Sequence, residues 1–323
     1  MSDHRQNRLE AIDGDGRPKR PLIGVALLPS AATLGNLLCG VLAILCCLLE
    51  VRSAYLQGAA KTANTLLHAW FPTYVAVGAY LVLLAMLFDA LDGRLARIAR
   101  HTTEFGAQLD SIADVVSFGA APVLLFLTLL LPLAVPAAGG ETVVNKLEWR
   151  VGLLGALVYV SCAAIRLARY NAENVKEEAA QPRFQGLPTP GAALGLVALL
   201  VLHEDLRYHQ QALWLGIDWA AGVRRSMGVT AFLLGILMVS RLDYVHVVNR
   251  YVRREQPLIH LVWLVILVGI GIYSPQILLT ILATAYILSG VVRRLMRRRA
   301  KPSPAPAPES DSLADVAQQS PRR

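Results

Sequence analysis

The stretch "FDALDGRLARIARHTTEFGAQLDSIADVVSFG", residues Phe88 to Gly119, sets four aspartates, Asp89, Asp92, Asp110 and Asp114, between long apolar runs. Ionisable groups in or beside a membrane span are costly to hold there and are usually functional. The question is what surrounds them and what they do.

Working outward from that stretch, 55% of the chain's 323 residues are apolar and only 17% are charged, a larger apolar share than a soluble domain carries. Apolar segments of about 15 to 25 residues recur, the length that a helix rising about 1.5 Å per residue needs to cross the hydrocarbon core. The predicted spans are Leu22–Leu49, Phe71–Leu91, Leu109–Leu131, Val151–Ile165, Gly191–Leu202, Met227–Ser240, Leu258–Ile272 and Ile277–Val292. The fold class is therefore all-α, a polytopic membrane bundle of about eight transmembrane helices. The fifth and sixth spans are short, so tilting, extension or half-insertion is open for each, and the number of crossings between residues 190 and 240 stays unsettled.

Residues 1–20 form a basic segment without apolar periodicity, residues 21–299 one membrane-embedded domain, and residues 300–323 a Pro-, Ser- and Ala-rich tail. Both ends are expected to be disordered. About twenty polar and charged residues precede the first span and no small-residue cleavage site follows it, so that span is expected to stay as an anchor. No solenoid-type repeat is present.

Lysine and arginine fix the orientation, because cytoplasmic flanks retain them. With eight spans both termini share a side, and that side carries 24 of the 31 basic residues against 7 on the other. The aspartate-rich loop and both termini are thus expected to face the cytoplasm, in an integral protein of a bacterial inner membrane. The largest basic cluster, Arg293, Arg294 and Arg297 to Arg299, abuts the last span. Such clusters bind anionic lipid headgroups, so the net charge of +8 implies membrane lipids as partners and no nucleic acid. Cys39, Cys46, Cys47 and Cys162 lie inside spans and are expected to pack as small hydrophobes.

On a helix Asp89 and Asp92 are three residues apart and Asp110 and Asp114 four apart, so each pair shares a face. The pairs sit at the end of the second span and the start of the third, where they can converge on one pocket. Four carboxylates that close repel unless cations lie among them, and a set of hard oxygen donors suits Mg²⁺ or Mn²⁺. The bland alternative is interfacial capping with Arg94, Arg97 and Arg100 as partners. A divalent-cation transporter is a further alternative, but it would carry carboxylates deep in several spans or beside paired broken helices. Gly93, Ala96 and Gly106 are small enough to admit a bulky ligand. Arg97, four residues after Gly93, offers a fork of donors suited to phosphate. Carboxylates, glycines and an arginine together describe a diphosphate site.

These residues resemble the CDP-alcohol phosphotransferases, whose signature D-x2-D-G-x2-A-R-x8-G-x3-D-x3-D is met at Asp89, Asp92, Gly93, Ala96, Arg97, Gly106, Asp110 and Asp114. The flanking blocks "TLGNLLCG" (Thr33 to Gly40), "IRLARYN" (Ile165 to Asn171) and "FQGLPTP" (Phe184 to Pro190) are similar to the members that use serine as acceptor. The resemblance covers roughly residues 22 to 290. It implies transfer of a phosphatidyl group from CDP-diacylglycerol to L-serine, with glycerol phosphate, inositol phosphate or choline as alternative acceptors. It also implies Asp89, Asp92 and Asp110 as main metal ligands, and Asp114 as both a further ligand and the base. Gly93, Ala96, Arg97 and Gly106 would cradle CMP and its phosphates, and a homodimer is implied. Ser30, Ala31 and Ala32 depart from the family's usual entry to the first helix, which leaves Thr33 and Asn36 as the ligand contacts expected from it. Arg166 and Arg169 share a face, and they are read either as membrane anchors or as holding the lipid phosphate or the serine carboxylate.

Overall fold

The structure is a computed structural model that describes residues 23–56, 71, 73–99, 104–131, 146–174, 186–208, 213–214, 217–240, 242, 269 and 274–299. Helix α1 is Ile23–Leu56, α2 Tyr74–Ala99 and α3 Glu104–Asp114. A π-helical turn, Val115–Ala120, joins α3 to α4, Ala121–Leu130. Then come α5, Lys146–Asn174, α6, Thr189–Tyr208, α7, Trp219–Val239, and α8, Pro275–Arg299. A minimal antiparallel ladder, β1 Leu213–Trp214 with β2 Ile217–Asp218, pairs Leu213 with Asp218 and Trp214 with Ile217 between α6 and α7. Among the described residues seven helical stretches are long and apolar enough to cross a membrane, α3 and α4 counting as one through the π turn. The protein is an all-α polytopic membrane bundle.

Seven of the eight expected spans coincide with described helices at their centres, and two of those need new limits. The fifth runs over Thr189–Tyr208, 20 residues, and the sixth over Trp219–Val239, 21 residues, so each is a full crossing rather than a half-inserted piece. The apolar run of the fifth ends early because His203 and Glu204 belong to the helix and are buried within the bundle. The last expected span lies inside α8. The expected span Leu258–Ile272 falls outside the described residues except for Gly269, which is helical. Residues 1–20 and 300–323 also lie outside them.

Small buried side chains let the helices approach. Ala43, Ala79, Ala85, Ala121, Ala163 and Ala231 are buried in one core, where packing without large side chains brings backbones close. The tightest crossing is α5 on α7: a Cβ added at Gly155 would lie 2.1 Å from the Gly228 carbonyl oxygen. At the rim beside it, Arg225 Nε donates to Glu148 Oε1 at 2.7 Å. On their outer faces Leu38, Leu48 and Leu157 are exposed, as lipid-facing positions are.

The end of the bundle away from the aspartates is held by hydrogen bonds that also cap α2. Thr73 Oγ1 accepts from the N–H of Ala76 at 3.1 Å and donates to Glu204 Oε2 at 2.6 Å. Glu50 Oε2 accepts from the N–H of Tyr74 at 2.9 Å, and His203 Nδ1 lies 2.9 Å from Glu204 Oε1. Two of the open donors of the helix N-terminus are thereby satisfied, Ala76 by the capping Thr73 and Tyr74 by Glu50 of α1, while Glu204 of α6 holds the Thr73 hydroxyl.

The π turn has a local cause. Pro122 has no N–H for the Phe118 carbonyl four residues back, and its ring crowds that carbonyl. The chain widens there, with the N–H of Ala121 reaching the Val116 carbonyl five residues back. Tyr159 of α5 supplies the missing donor, its hydroxyl lying 2.9 Å from the Phe118 oxygen. The turn begins directly after Asp114, at the motif's last carboxylate.

Candidate active site

Asp89 and Asp92 project from the last turns of α2, and Asp110 from the second half of α3. One oxygen from each of the three lies within 4.8 Å of the others. At that separation two full negative charges repel by about 3 to 4 kcal/mol at an effective dielectric of ~20, so the cluster is favourable only when positive charge is placed among the oxygens. The Asp92 Oδ2 and Asp110 Oδ1 atoms are buried without a protein hydrogen-bond donor among the described residues. Buried acceptors without donors, drawn from three converging carboxylates, fit a hard divalent cation.

Asp114 stands one helical turn further along and is 8% exposed. Its Oδ1 accepts from Asn36 Nδ2 at 3.2 Å, and it lies within electrostatic reach of Asp89, Asp110 and Asp92. The three-carboxylate group does not include it, so the structure sets it beside the trio rather than inside it. Helix α1 supplies the wall behind. Asn36 is fully buried, and Thr33 hydrogen-bonds the Asp92 carboxylate. The two residues expected to contribute from the first span therefore touch the aspartates.

One turn after Asn36, α1 meets the π turn. Ser117 Oγ donates to the Asn36 carbonyl oxygen at 2.9 Å. Gly40 makes this approach possible, since a Cβ there would lie 2.3 Å from Ser117 Oγ and 2.8 Å from Ser117 Cα. Sequence reading missed Ser117, although Pro122, three residues after the quoted stretch, was the signal for a distorted helix.

The remaining expected residues divide. A Cβ added at Gly93 would meet nothing within 4 Å among the described residues, so no described side chain fills the side of α2 next to Asp92. Gly106 lies in the first turn of α3, half-buried. Ala96 and Arg97 continue α2, and their side chains lie outside the described residues. Arg166 of α5 is half-buried, donates from Nη1 to Thr189 Oγ1 at 2.9 Å, and is in electrostatic contact with Asp114. Arg169 is exposed. The two arginines thus share a helix but not an environment. Between them and the motif, Ser111 and Asn171 are hydrogen-bonded, with Asn171 Nδ2 2.9 Å from Ser111 Oγ, which ties α3 to α5 beside Asp110.

A membrane bundle with three converging carboxylates and a fourth held behind them defines an integral membrane protein with an acidic site suited to a divalent cation. Residues 26–224, more than half of the chain, match the family model described as CDP-alcohol phosphatidyltransferase. The chain belongs to that family. It is 34% identical over 164 residues to the CDP-diacylglycerol–serine O-phosphatidyltransferase of Methanocaldococcus jannaschii, covering 51% of this chain and 61% of that protein. It is 31% identical over 193 residues to the protein of the same name from Mycobacterium tuberculosis, covering 58% and 54%. To that of Helicobacter pylori it is 31% identical over 220 residues, covering 66% and 78%. The chain thus spans little more than half the length of the first two relatives.

Proposed function

We propose that this protein transfers the phosphatidyl group of CDP-diacylglycerol to the hydroxyl of L-serine, giving phosphatidylserine and CMP. The observation that supports the reading is the convergence of three of the motif's carboxylates, with oxygens of Asp89, Asp92 and Asp110 within 4.8 Å of one another, next to Gly93 in the same motif. Relatives named for this reaction support the choice of donor and acceptor.

In this reading Asp89, Asp92 and Asp110 would hold Mg²⁺ or Mn²⁺, with Asp114 as a further ligand from the adjoining turn. The ion's chemistry when bound is to neutralise the diphosphate and the charge growing on the departing CMP oxygen. The chain's own residues do the positioning. Gly93, Ala96, Arg97 and Gly106 line the place of the CMP phosphates. The serine oxygen bonds to the lipid-side phosphorus as the bond from that phosphorus to the CMP oxygen breaks. Asp114 takes the hydroxyl proton, its carboxylate oriented by the hydrogen bond from Asn36. Arg166, half-buried and in electrostatic contact with Asp114, is better placed for an anionic group of the substrates than the exposed Arg169.

The reading includes a bacterial inner membrane, with the motif and both termini on the cytoplasmic side, one membrane domain over residues 21–299, and a homodimer. The test is CMP release from CDP-diacylglycerol by the purified protein in lipid nanodiscs, with serine compared against glycerol 3-phosphate, inositol phosphate and choline. Serine-dependent release that is lost in chelator and restored by Mg²⁺ or Mn²⁺ is expected. Full turnover in excess chelator would remove the metal, and preference for another acceptor would remove serine while leaving the family assignment intact. A cysteine introduced at Thr103 should be labelled in intact cells only by a permeant reagent; equal labelling by an impermeant one would reverse the orientation.

A further inference from the structure

The "FQGLPTP" block has so far no role, and its geometry supplies one. Gly186 has φ of +90°, a conformation that side-chain-bearing residues rarely adopt, and a Cβ there would lie 2.3 Å from the Met238 carbonyl oxygen. Its N–H donates to the Leu242 oxygen at 2.8 Å, and that of Leu187 to the Leu237 oxygen at 3.1 Å. The start of α6 is thus pinned to the end of α7. This fixes Thr189, which is fully buried and accepts from Arg166 Nη1 at 2.9 Å. Two residues on, Gly191 leaves room for a side chain from α8: a Cβ there would lie 2.7 Å from Tyr286 Cε1. Tyr286 is half-buried against the core and in electrostatic contact with Arg166. The Arg166 Nε atom is buried without an acceptor among the described residues.

We propose that Thr189 and Tyr286 aim the Arg166 guanidinium and form with it the pocket for the acceptor's anionic group, so that α8, outside the residues matched by the family model, contributes to acceptor selection. The inference rests on the serine-transfer reading. The carboxylate and hydroxyl of serine lie on adjacent carbons, so a carboxylate held at Arg166 presents the hydroxyl on the side of Asp114. A guanidinium already fixed by one neutral acceptor keeps its remaining donors for a carboxylate, in the forked geometry that arginine favours. An amino alcohol without the carboxylate has nothing to offer that pocket.

The experiment measures CMP release by the full-length protein in nanodiscs, varying serine and CDP-diacylglycerol separately, for Tyr286→Phe, Thr189→Val and Thr189→Ser. Thr189→Val is expected to raise the serine KM by about tenfold to a hundredfold, the range that a hydrogen bond to a charged group is worth, and Tyr286→Phe is expected to raise it in the same direction. The CDP-diacylglycerol KM should stay within about twofold, and Thr189→Ser, which restores the hydroxyl, should recover most of the loss. Discrimination of serine over ethanolamine should fall with it. Unchanged serine KM in both variants overturns the proposal. So does an equal rise in both KM values, which would place the three residues at the donor phosphate. If the unaltered protein turns over glycerol 3-phosphate and not serine, the serine reading fails first. The same variants are then measured with glycerol 3-phosphate, whose phosphate presents an equivalent anion to Arg166, and an unchanged KM there overturns the pocket independently.

Discussion

Gly40→Ala tests whether the contact of α1 with the π turn positions Asp114, the base in the proposed reaction. The new Cβ would lie 2.3 Å from Ser117 Oγ, 2.8 Å from Ser117 Cα and 2.9 Å from Ser117 Cβ. A serine oxygen can rotate away, but the Cα belongs to the backbone of a buried turn. Ordinary carbon contacts lie near 3.5 to 4.0 Å, so α1 must move off the turn by about 1 Å. Asn36 sits one turn before Gly40 on the same face, and its 3.2 Å bond to Asp114 would stretch past the range in which a hydrogen bond survives. Overpacking of this kind costs about 1 to 3 kcal/mol of stability. A displacement of about 1 Å in a reacting group can cost about a hundredfold in rate. Turnover should therefore fall by about two orders of magnitude while the protein still inserts and unfolds cooperatively at a lower temperature. The assay is kcat for CMP release alongside thermal unfolding in the same nanodiscs. A kcat within about twofold of the unaltered protein would show that Asp114 is not positioned through α1, and the reasoning would be wrong.

Gly93→Ala is the converse case, because a Cβ there meets nothing within 4 Å: the unfolding temperature should not change, while the CDP-diacylglycerol KM rises as the methyl enters the ligand's place. Asp92→Asn and Asp110→Asn should each lose at least about a hundredfold in turnover. In chelator both should unfold at a higher temperature than the unaltered protein, since removing one charge relieves repulsion of about 3 to 4 kcal/mol per pair; a lower temperature would argue against the crowding. Glu204→Gln keeps the side chain's shape at the opposite end of the bundle and weakens its bonds to Thr73 and His203. It should lower the unfolding temperature by the equivalent of about 1 to 3 kcal/mol with kcat unchanged, and a selective loss of kcat would give that network a part in turnover.

Membrane spans are legible because hydrocarbon thickness sets their length, and the aspartate motif is legible because spacings of three and four put carboxylates on one face before any tertiary contact is known. What local pattern cannot show is the neighbour that satisfies a polar residue inside a helix. His203 and Glu204 shorten the apolar run of α6 although both are buried, because Thr73, just before α2, donates to the Glu204 carboxylate. Asp114 pairs by spacing with Asp110, and it also accepts a hydrogen bond from Asn36, 78 residues earlier on α1. Arg166 and Arg169 look equivalent on a helical wheel, but only Arg166 meets the threonine that the Gly186 turn delivers. Spacing therefore identifies which carboxylates can meet, while the direction each one faces is decided by hydroxyl and amide groups on other helices. The same holds for acceptor choice. The aspartates are written in one continuous motif, whereas the proposed pocket draws Arg166, Thr189 and Tyr286 from three helices: Arg166 hydrogen-bonds Thr189, and Gly191 leaves the space for the Tyr286 ring.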